Sequence, residues 1–143
     1  MIRHVAGIAE IVEDIEVAVR FYRQVLGLTV RYQGGSGYAE VDVPGILHFG
    51  IWSRAQAAQA TFGDSEAAHR IPLGFTIGFE VDEVAAASGA ISAGGGVIEQ
   101  PPKREPWGQI TSRFFSPSGA LCEVSETPEA RHITREMQAG PES

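Results

Sequence analysis

The chain has 143 residues, 43% hydrophobic and 20% charged, a balance that fits one folded domain and excludes an intrinsically disordered chain. Its net charge of −7 comes without any cluster of lysine and arginine, so nucleic acid and anionic membranes are not expected as partners. The single cysteine, Cys122, excludes an internal disulfide, and no apolar run approaches the ~20 residues of a membrane span. Because residues 1–11 carry no secretory pattern, the sequence predicts a cytoplasmic protein.

The first half of the chain predicts a strand, a helix and three further strands. Residues 5–12 form the strand, and residues 15–26 form an amphipathic helix whose apolar side chains recur at helical spacing. Asp14 is the expected N-cap, and Gly27 suits the left-handed position after the helix. The three short strands are expected at residues 29–33, 38–43 and 46–53.

The second half repeats this order. A strand at 74–81 leads into a helix that Asp82 or Glu83 can cap and that ends near Ala93. Further strands are expected at residues 97–100, 110–116 and 120–125. A shift of 69 residues places Ile15 on Val84, Ala18 on Ala87 and Gly27 on Gly96, which indicates a duplication.

The repeat divides one domain, residues 1–143, into four parts. Unit one spans 4–53 and unit two spans 72–126, joined by a connection at 54–71 that holds a helical turn. The tail at 127–143 is expected to form a short helix at 129–138 and to pack on its own domain or on a second subunit.

Alternation along the strands predicts a cavity. In strand 74–81 one face is uniformly apolar and is expected to cover a helix, with Phe75, Ile77, Phe79 and Val81 on it. The opposite faces of the inner strands carry small residues, isolated polar groups and one large aromatic, where a packed core would have large aliphatic side chains. With Trp107 from a loop, the expected ligand-binding residues are His48, Gly50, Trp52, Thr76, Gly78, Trp107 and Glu123. Glu10 places a carboxylate on the helix side of strand 5–12, and nothing in the sequence explains this charge there.

Four segments together carry a family resemblance. They are VEDI at 12–15 running into RFYRQVLGL at 20–28, FEVDEV at 79–84, EPWG at 105–108, and SPSGALCEV at 116–124. The chain resembles the vicinal oxygen chelate superfamily of glyoxalases, bleomycin-resistance proteins and extradiol dioxygenases. The resemblance implies an α+β fold in which two βαβββ units form a cupped, eight-stranded mixed sheet. The units of this family pair within one chain or across a dimer, and a homodimer is expected.

The resemblance also implies a metal site with one His or Glu ligand from each of four inner strands. Carried over to this chain, the positions are Gly7, Thr76, Glu123 and either Gly50 or Phe49, depending on the alignment. Among these residues only Glu123 has a side chain of a type that commonly binds metal ions, so no metal cofactor is expected. A divalent metal on His48 and Glu123, completed by water, is the fallback. His4 has the parity opposite to Gly7 and is expected to point away.

Glu123 also has roles that need no metal. It is a candidate catalytic base or a hydrogen-bond acceptor for a ligand, and alternatively it is tied to an arginine such as Arg113. Glu80 shares its parity but lies at a strand end, where solvent exposure is expected. Lys103, Arg104 and Trp107 either clamp an anionic or aromatic ligand at the cavity mouth or form a solvated loop.

These observations favour a protein that binds or sequesters an organic small molecule without metal, as the antibiotic-binding members of the family do. One alternative is a metal-dependent lyase, isomerase or dioxygenase that uses His48 and Glu123. The other is a metal-free enzyme with Glu123 as its base. A nucleophile mechanism lacks a candidate, because Cys122 has helix-side parity.

Overall fold

The structure is a computed structural model that describes residues 1–128. Its eight strands are β1 Ile2–Val12, β2 Thr29–Arg31, β3 Tyr38–Asp42, β4 Phe49–Ser53, β5 Gly74–Val81, β6 Ile98–Arg104, β7 Ile110–Phe115 and β8 Leu121–Glu126. Its α-helices are α1 Ile15–Arg20, α2 Arg54–Phe62 and α3 Val84–Ala93; a π-helical turn, Phe21–Val25, continues α1, and a 3₁₀ segment, Ser65–Arg70, follows α2. None of the helices within residues 1–128 has the length and apolarity to cross a bilayer. The predicted tail helix at 129–138 lies outside the described residues.

All eight strands form one open, mixed sheet in the order β2-β3-β4-β1-β5-β8-β7-β6. At its centre β1 pairs antiparallel with β5, so the two units join within one chain. Each unit contains one parallel pair, β1 with β4 and β5 with β8, in equivalent register: Ile8 faces Phe49 as Ile77 faces Cys122. The predicted α+β fold of two βαβββ units is confirmed.

The first helical segment, α1 with its π-helical continuation, begins after Asp14 and ends before Gly27, as the sequence predicts. The Asp14 carboxylate accepts hydrogen bonds from the amides of Glu16 and Val17, and Gly27 has the left-handed φ of 70° that a side chain would strain. The last turn is π-helical rather than α-helical, with the Leu26 amide bonded to the Phe21 carbonyl.

Glu10 gains its explanation from the same helix. The Tyr22 hydroxyl donates to its carboxylate at 2.5 Å, on the helix side of β1. Burial and the neighbouring Glu10 charge raise the pKa of Tyr22, which keeps the hydroxyl a donor. The carboxylate is therefore a partner that fixes the buried Tyr22 ring in the core.

The cap predicted for α3 is wrong. Glu83 occupies the N-cap position, but its side chain makes no capping hydrogen bond, and Asp82 pairs with Arg3 instead. The amide of Val84 donates to Glu126 Oε1 at 2.9 Å. The cap comes from the end of β8, because that strand runs parallel to β5 and finishes beside the start of α3.

The connection between the units is more than a helical turn. Its α2 helix packs on the concave side of the sheet with Ala57 and Ala58 fully buried. They join Ile11, Ile71 and Leu121 in a core cluster that touches both units. Ile11 and Leu121 had the parity of the predicted cavity face, so α2 fills one end of the cup that alternation alone leaves empty.

Phe75 differs from its prediction as well. The other three apolar residues of its face are more protected, but Phe75 is 58% exposed and contacts the ring of Phe49 at 6.3 Å between centroids. It pairs with Glu10 near the end of the β1–β5 ladder, away from α3. Alternation along β5 predicted the correct face for Phe75, but it did not predict how much of that face α3 covers.

Candidate functional site

The concave face of the sheet encloses a cavity of about 550 Å³. Of the predicted ligand-binding residues, six line it: His48, Trp52, Thr76, Gly78, Trp107 and Glu123. Its lining also includes residues that the sequence reasoning did not assign to it, among them Tyr38, Gln56, Gln109 and Arg113. Alternation along the strands therefore predicted much of the wall.

Two glycines of the central strands form the floor. Gly7 of β1 pairs with Gly78 of β5. A Cβ atom at Gly7 would lie 3.1 Å from His48 Cβ, and one at Gly78 would lie 3.2 Å from Glu123 Oε2. The missing side chains therefore leave room for His48 on one side of the floor and for the Glu123 carboxylate on the other.

Gly50 does not face the open cavity, contrary to prediction. It is buried beneath Tyr38, whose ring occupies the place that a Cβ atom would take. The Tyr38 hydroxyl donates to Glu40 Oε2 at 2.9 Å, and Glu40 Oε1 lies 3.3 Å from His48 Nδ1. Because Tyr38 pairs with Trp52 and Glu40 with Gly50, alternation along β3 is the signal that could have placed both on the inner face.

Glu123 forms an ion pair with Arg113, as one interpretation of the sequence expected. The two residues are opposite each other on β8 and β7, with Arg113 Nη2 2.7 Å from Glu123 Oε1. Arg113 Nη1 lies 3.0 Å from Glu105 and contacts Gln100, and the guanidinium lies 5.3 Å from the centroid of the Trp52 ring. The guanidinium is therefore held on several sides.

The two members of this pair differ in exposure. The Glu123 side chain is 21% exposed and the Arg113 side chain 2%, so the carboxylate is the more accessible member of the pair, although both residues line the cavity. Burial raises the pKa of the Glu123 carboxyl, and Arg113 lowers it in part. The nearby carboxylates of Glu105 and Glu80 raise it further. Oε2 lies at the floor beside Gly78.

Glu80 is buried, whereas the sequence predicted exposure. Its carboxylate accepts hydrogen bonds from the Ser125 hydroxyl at 3.2 Å and from the amide and hydroxyl of Thr127 at 2.8 and 2.9 Å. The chain that leaves β8 covers the end of β5 and supplies these donors. Hydrogen bonds of this kind satisfy a buried carboxylate without a cation.

His4 lies on the concave face, again contrary to prediction. An irregularity in the β1–β5 ladder between Val5 and Gly7 places His4 opposite Glu80 and Gly7 opposite Gly78. The extra residue changes the alternation, so His4 and Gly7 share a face although their numbers differ by three. His4 does not belong to the cavity lining.

The loop after β6 contributes its tryptophan to the cavity, but the two cations at the end of β6 are not part of the lining. Trp107 lines the cavity, and its indole N–H donates to Gln109 Oε1 at 2.6 Å. Lys103 contacts the carbonyl of Ala60 on α2, and Arg104 lies 3.4 Å from the carbonyl of Gly108. The predicted clamp of two cations at the cavity mouth is therefore absent from the lining in the described part of the chain.

Comparison with known families decides the classification. A family model described as the Glyoxalase/Bleomycin resistance protein/Dioxygenase superfamily matches residues 2–124. The chain belongs to this superfamily. No curated protein sequence matches it.

Solved structures support the superfamily fold. A superfamily member from Vibrio splendidus 12B01 has a TM-score of 0.58 at 13% identity, over 85% of this chain and 97% of the other. The methylmalonyl-CoA epimerase of Streptomyces coelicolor, variant Q60A, in complex with 2-nitronate-propionyl-CoA, has a TM-score of 0.55 at 19% identity, over 90% and 99%. A hypothetical protein from Bacillus halodurans C-125 has 0.58 at 17%, over 87% and 94%. At these identities the likeness establishes the fold alone.

The residues at the superfamily's metal positions do not fit a metal ion. The equivalent register of the two parallel pairs assigns the fourth position to Gly50 rather than Phe49, since Ala9 faces Gly50 as Gly78 faces Glu123. Gly7 and Gly50 have no donor atom, and the Thr76 hydroxyl donates to the carbonyl of Leu121 at 2.5 Å. That leaves Glu123, which Arg113 already contacts.

The alternative metal site on His48 and Glu123 does not fit a metal ion either. His48 is held through Nδ1 by Glu40 on its own side of the floor, not by Glu123. Within residues 1–128, no three His, Cys, Asp or Glu side chains are grouped closely enough to hold a metal ion. His48 and Glu123 therefore do not form a joint metal site in the described part of the chain.

Proposed function

We propose that this superfamily member binds a planar organic small molecule in the cavity of its sheet, without a metal ion. The observation that carries the proposal is the state of Glu123. It is the last ligand-type residue at the four family positions, and it is engaged by a buried arginine while its carboxylate faces the cavity. Such a carboxylate is suited to accept hydrogen bonds from an organic ligand.

The shape of the cavity supports a flat ligand. Its volume of about 550 Å³ falls in the range of small-molecule sites. Tyr38, Trp52 and Trp107 supply aromatic walls, and Gly7 and Gly78 supply a floor without side chains. Aromatic side chains offer large apolar contact areas with little loss of conformational freedom.

The epimerase neighbour supports the coarser part of this proposal. Its solved complex contains 2-nitronate-propionyl-CoA, so the shared fold is able to hold an organic ligand. That capacity, and not the neighbour's substrate or reaction, supports the proposal. The predicted cytoplasmic location and homodimer remain predictions alongside it.

The test exploits the position of the tryptophans. The sequence contains two, Trp52 and Trp107, and both line the cavity. We would treat the protein with EDTA, remove the chelator and screen a panel of neutral, cationic and anionic aromatic compounds by thermal shift. A ligand in the cavity is expected to raise the melting temperature and to change tryptophan fluorescence, and Trp52→Phe or Trp107→Phe should reduce the fluorescence change. Binding that appears only after a divalent metal is restored would contradict the proposal.

The same screen separates binding from metal-free catalysis by Glu123. Each bound compound would be incubated with the metal-free protein and followed by NMR. An unchanged ligand supports binding as the function. Conversion by the wild type that Glu123→Gln abolishes would replace binding with catalysis, in which Glu123 acts as a base.

A further inference from the structure

We infer that the cavity selects aromatic ligands that carry a planar cationic group of the amidinium or guanidinium type, which donates to Glu123. This inference rests on the proposed function and names the chemical class of its ligand. It comes from the arrangement of charge around the cavity, which the superfamily's metal chemistry does not predict.

In the ion pair at the cavity floor, the Glu123 carboxylate is the more accessible member. The Glu123 side chain is 21% exposed, whereas its Arg113 partner is only 2% exposed. Arg113 also contacts Glu105 at 3.0 Å, so one guanidinium serves two carboxylates. The next cation, Lys103, lies 3.8 Å from Glu105 and has a 39% exposed side chain, where solvent screens its charge. A ligand that enters the cavity thus meets a carboxylate whose charge is only partly compensated.

The opposite wall adds no free cation. Glu40 is near that wall but outside the cavity lining, and it engages both the Tyr38 hydroxyl and His48 Nδ1. Among the lining residues of the described chain, Arg113 supplies the one guanidinium and Glu123 the one carboxylate. An anionic ligand would therefore be repelled by Glu123, while both terminal nitrogens of the Arg113 guanidinium already contact protein acceptors and only its buried Nε has none.

The geometry of the floor suits a planar donor. Glu123 Oε2 lies 3.2 Å from the position that a Gly78 Cβ atom would take, so the glycine leaves room for the carboxylate at the floor of the cavity, where a planar donor can reach it. An amidinium presents N–H donors in one plane and forms short, charge-assisted bonds with a carboxylate. Its attached ring would lie against the glycine floor, and the Tyr38 and Trp107 rings can attract its charge through cation–π interaction.

Three ligands of nearly the same shape isolate the charge. We would measure the binding of 2-naphthamidine, 2-naphthamide and 2-naphthoate to the metal-free protein by isothermal titration calorimetry. The amidine is expected to bind about tenfold more tightly than the amide, which corresponds to one charged hydrogen bond replacing a neutral one, and the carboxylate is expected to bind most weakly. This comparison needs no variant, so it does not depend on any substitution folding.

A matched pair of variants then assigns the preference to Glu123. Glu123→Gln is expected to reduce amidine binding to the level of the amide. Glu99→Gln is the control, because Glu99 is 23% exposed and also pairs with an arginine, Arg70, but lies outside the cavity lining. The control should keep the full preference.

The outcomes distinguish this inference from the proposed function. Equal binding of amide and amidine, tightest binding of 2-naphthoate, no binding of any of the three, or a preference that survives Glu123→Gln would overturn the inference. Metal-free binding of a neutral or anionic aromatic compound in the wider screen would still support the proposed function. Amidine binding that requires an added divalent metal would instead defeat the proposed function.

Discussion

The Arg113 guanidinium connects the protein's core to its cavity. It is buried, lies over the Trp52 ring and contacts three side chains: Glu105, Glu123 and Gln100. A buried cation with this many partners adds little net stability relative to an apolar replacement of the whole group, but its removal alone leaves charges uncompensated. Arg113 therefore sets both the position and the ionisation of Glu123.

Arg113→Met is expected to destabilise the fold by about 3 to 5 kcal/mol at neutral pH, because Glu105 and Glu123 lose their buried cation. Burial already raises the pKa of the Glu123 carboxyl, and loss of Arg113 raises it further. An acid with a raised pKa in the folded state ionises there at a cost in free energy. That cost is present above the folded-state pKa and is gone below the ordinary glutamate value of about 4.3. The destabilisation should therefore shrink as the pH falls, which urea denaturation at several pH values measures.

The control for this variant is Arg31→Met. Arg31 pairs with Asp42 at 2.9 Å, but both side chains are more than half exposed, so its loss is expected to cost less than about 1 kcal/mol. A destabilisation of Arg113→Met that matched the control, or that did not change with pH, would show that the buried ion pairs do not govern the site.

Residues far away in the chain complete local structures whose positions the sequence pattern predicts. The start of α3 depends on the last residue of β8, which is 42 positions away from Val84 in the chain. The end of β5 depends likewise on Thr127, which satisfies the buried Glu80. In both cases the parallel β5–β8 pair brings the partners together.

Glu126→Ala is expected to lower the free energy of unfolding by about 1 kcal/mol, since the Val84 amide loses its hydrogen-bond acceptor at the helix start. Glu83→Ala is the matched comparison: Glu83 holds the N-cap position, yet its side chain makes no capping hydrogen bond, so it should cost much less. Urea denaturation of both variants provides the measurement. If Glu83→Ala lowered the free energy of unfolding as much as Glu126→Ala or more, Glu83 would be the cap, as the sequence predicted. The cap from β8 would then be refuted.

At the scale of the whole molecule, two units fold around shared contacts. The β1–β5 ladder joins them at the centre of the sheet. The cluster of Ile11, Ile71 and Leu121 draws one residue from each unit and one from the connection, with α2 packed against it. Neither unit can expose this cluster without exposing part of the other's core, which favours a single cooperative transition.

The tryptophans test that cooperativity. Trp107→Phe leaves Trp52 as the reporter at the end of β4, and Trp52→Phe leaves Trp107 as the reporter of unit two. In each variant, the urea midpoint from tryptophan fluorescence should coincide with the midpoint from far-UV circular dichroism. Midpoints that separate, with one unit unfolding first, would mean that the β1–β5 pairing does not couple the units.

The sequence by itself determined the repeat, the helix at Asp14–Gly27 and the parity of most cavity residues. These features depend on spacings of a few residues, which the order of side chains displays directly. It also determined that Gly7 and the position at Gly50 carry no metal-binding atom, because that follows from residue type alone.

Only the tertiary structure decided which polar side chains meet and which remain open. The irregularity in β1 turned His4 to the concave face, Tyr38 covered Gly50, and α2 filled one end of the cup. Glu80 found its donors 45 and 47 residues away. Burial makes such pairings necessary, because an unsatisfied polar group inside the protein is costly. The partners are set by strand register and chain crossing, which no local spacing encodes.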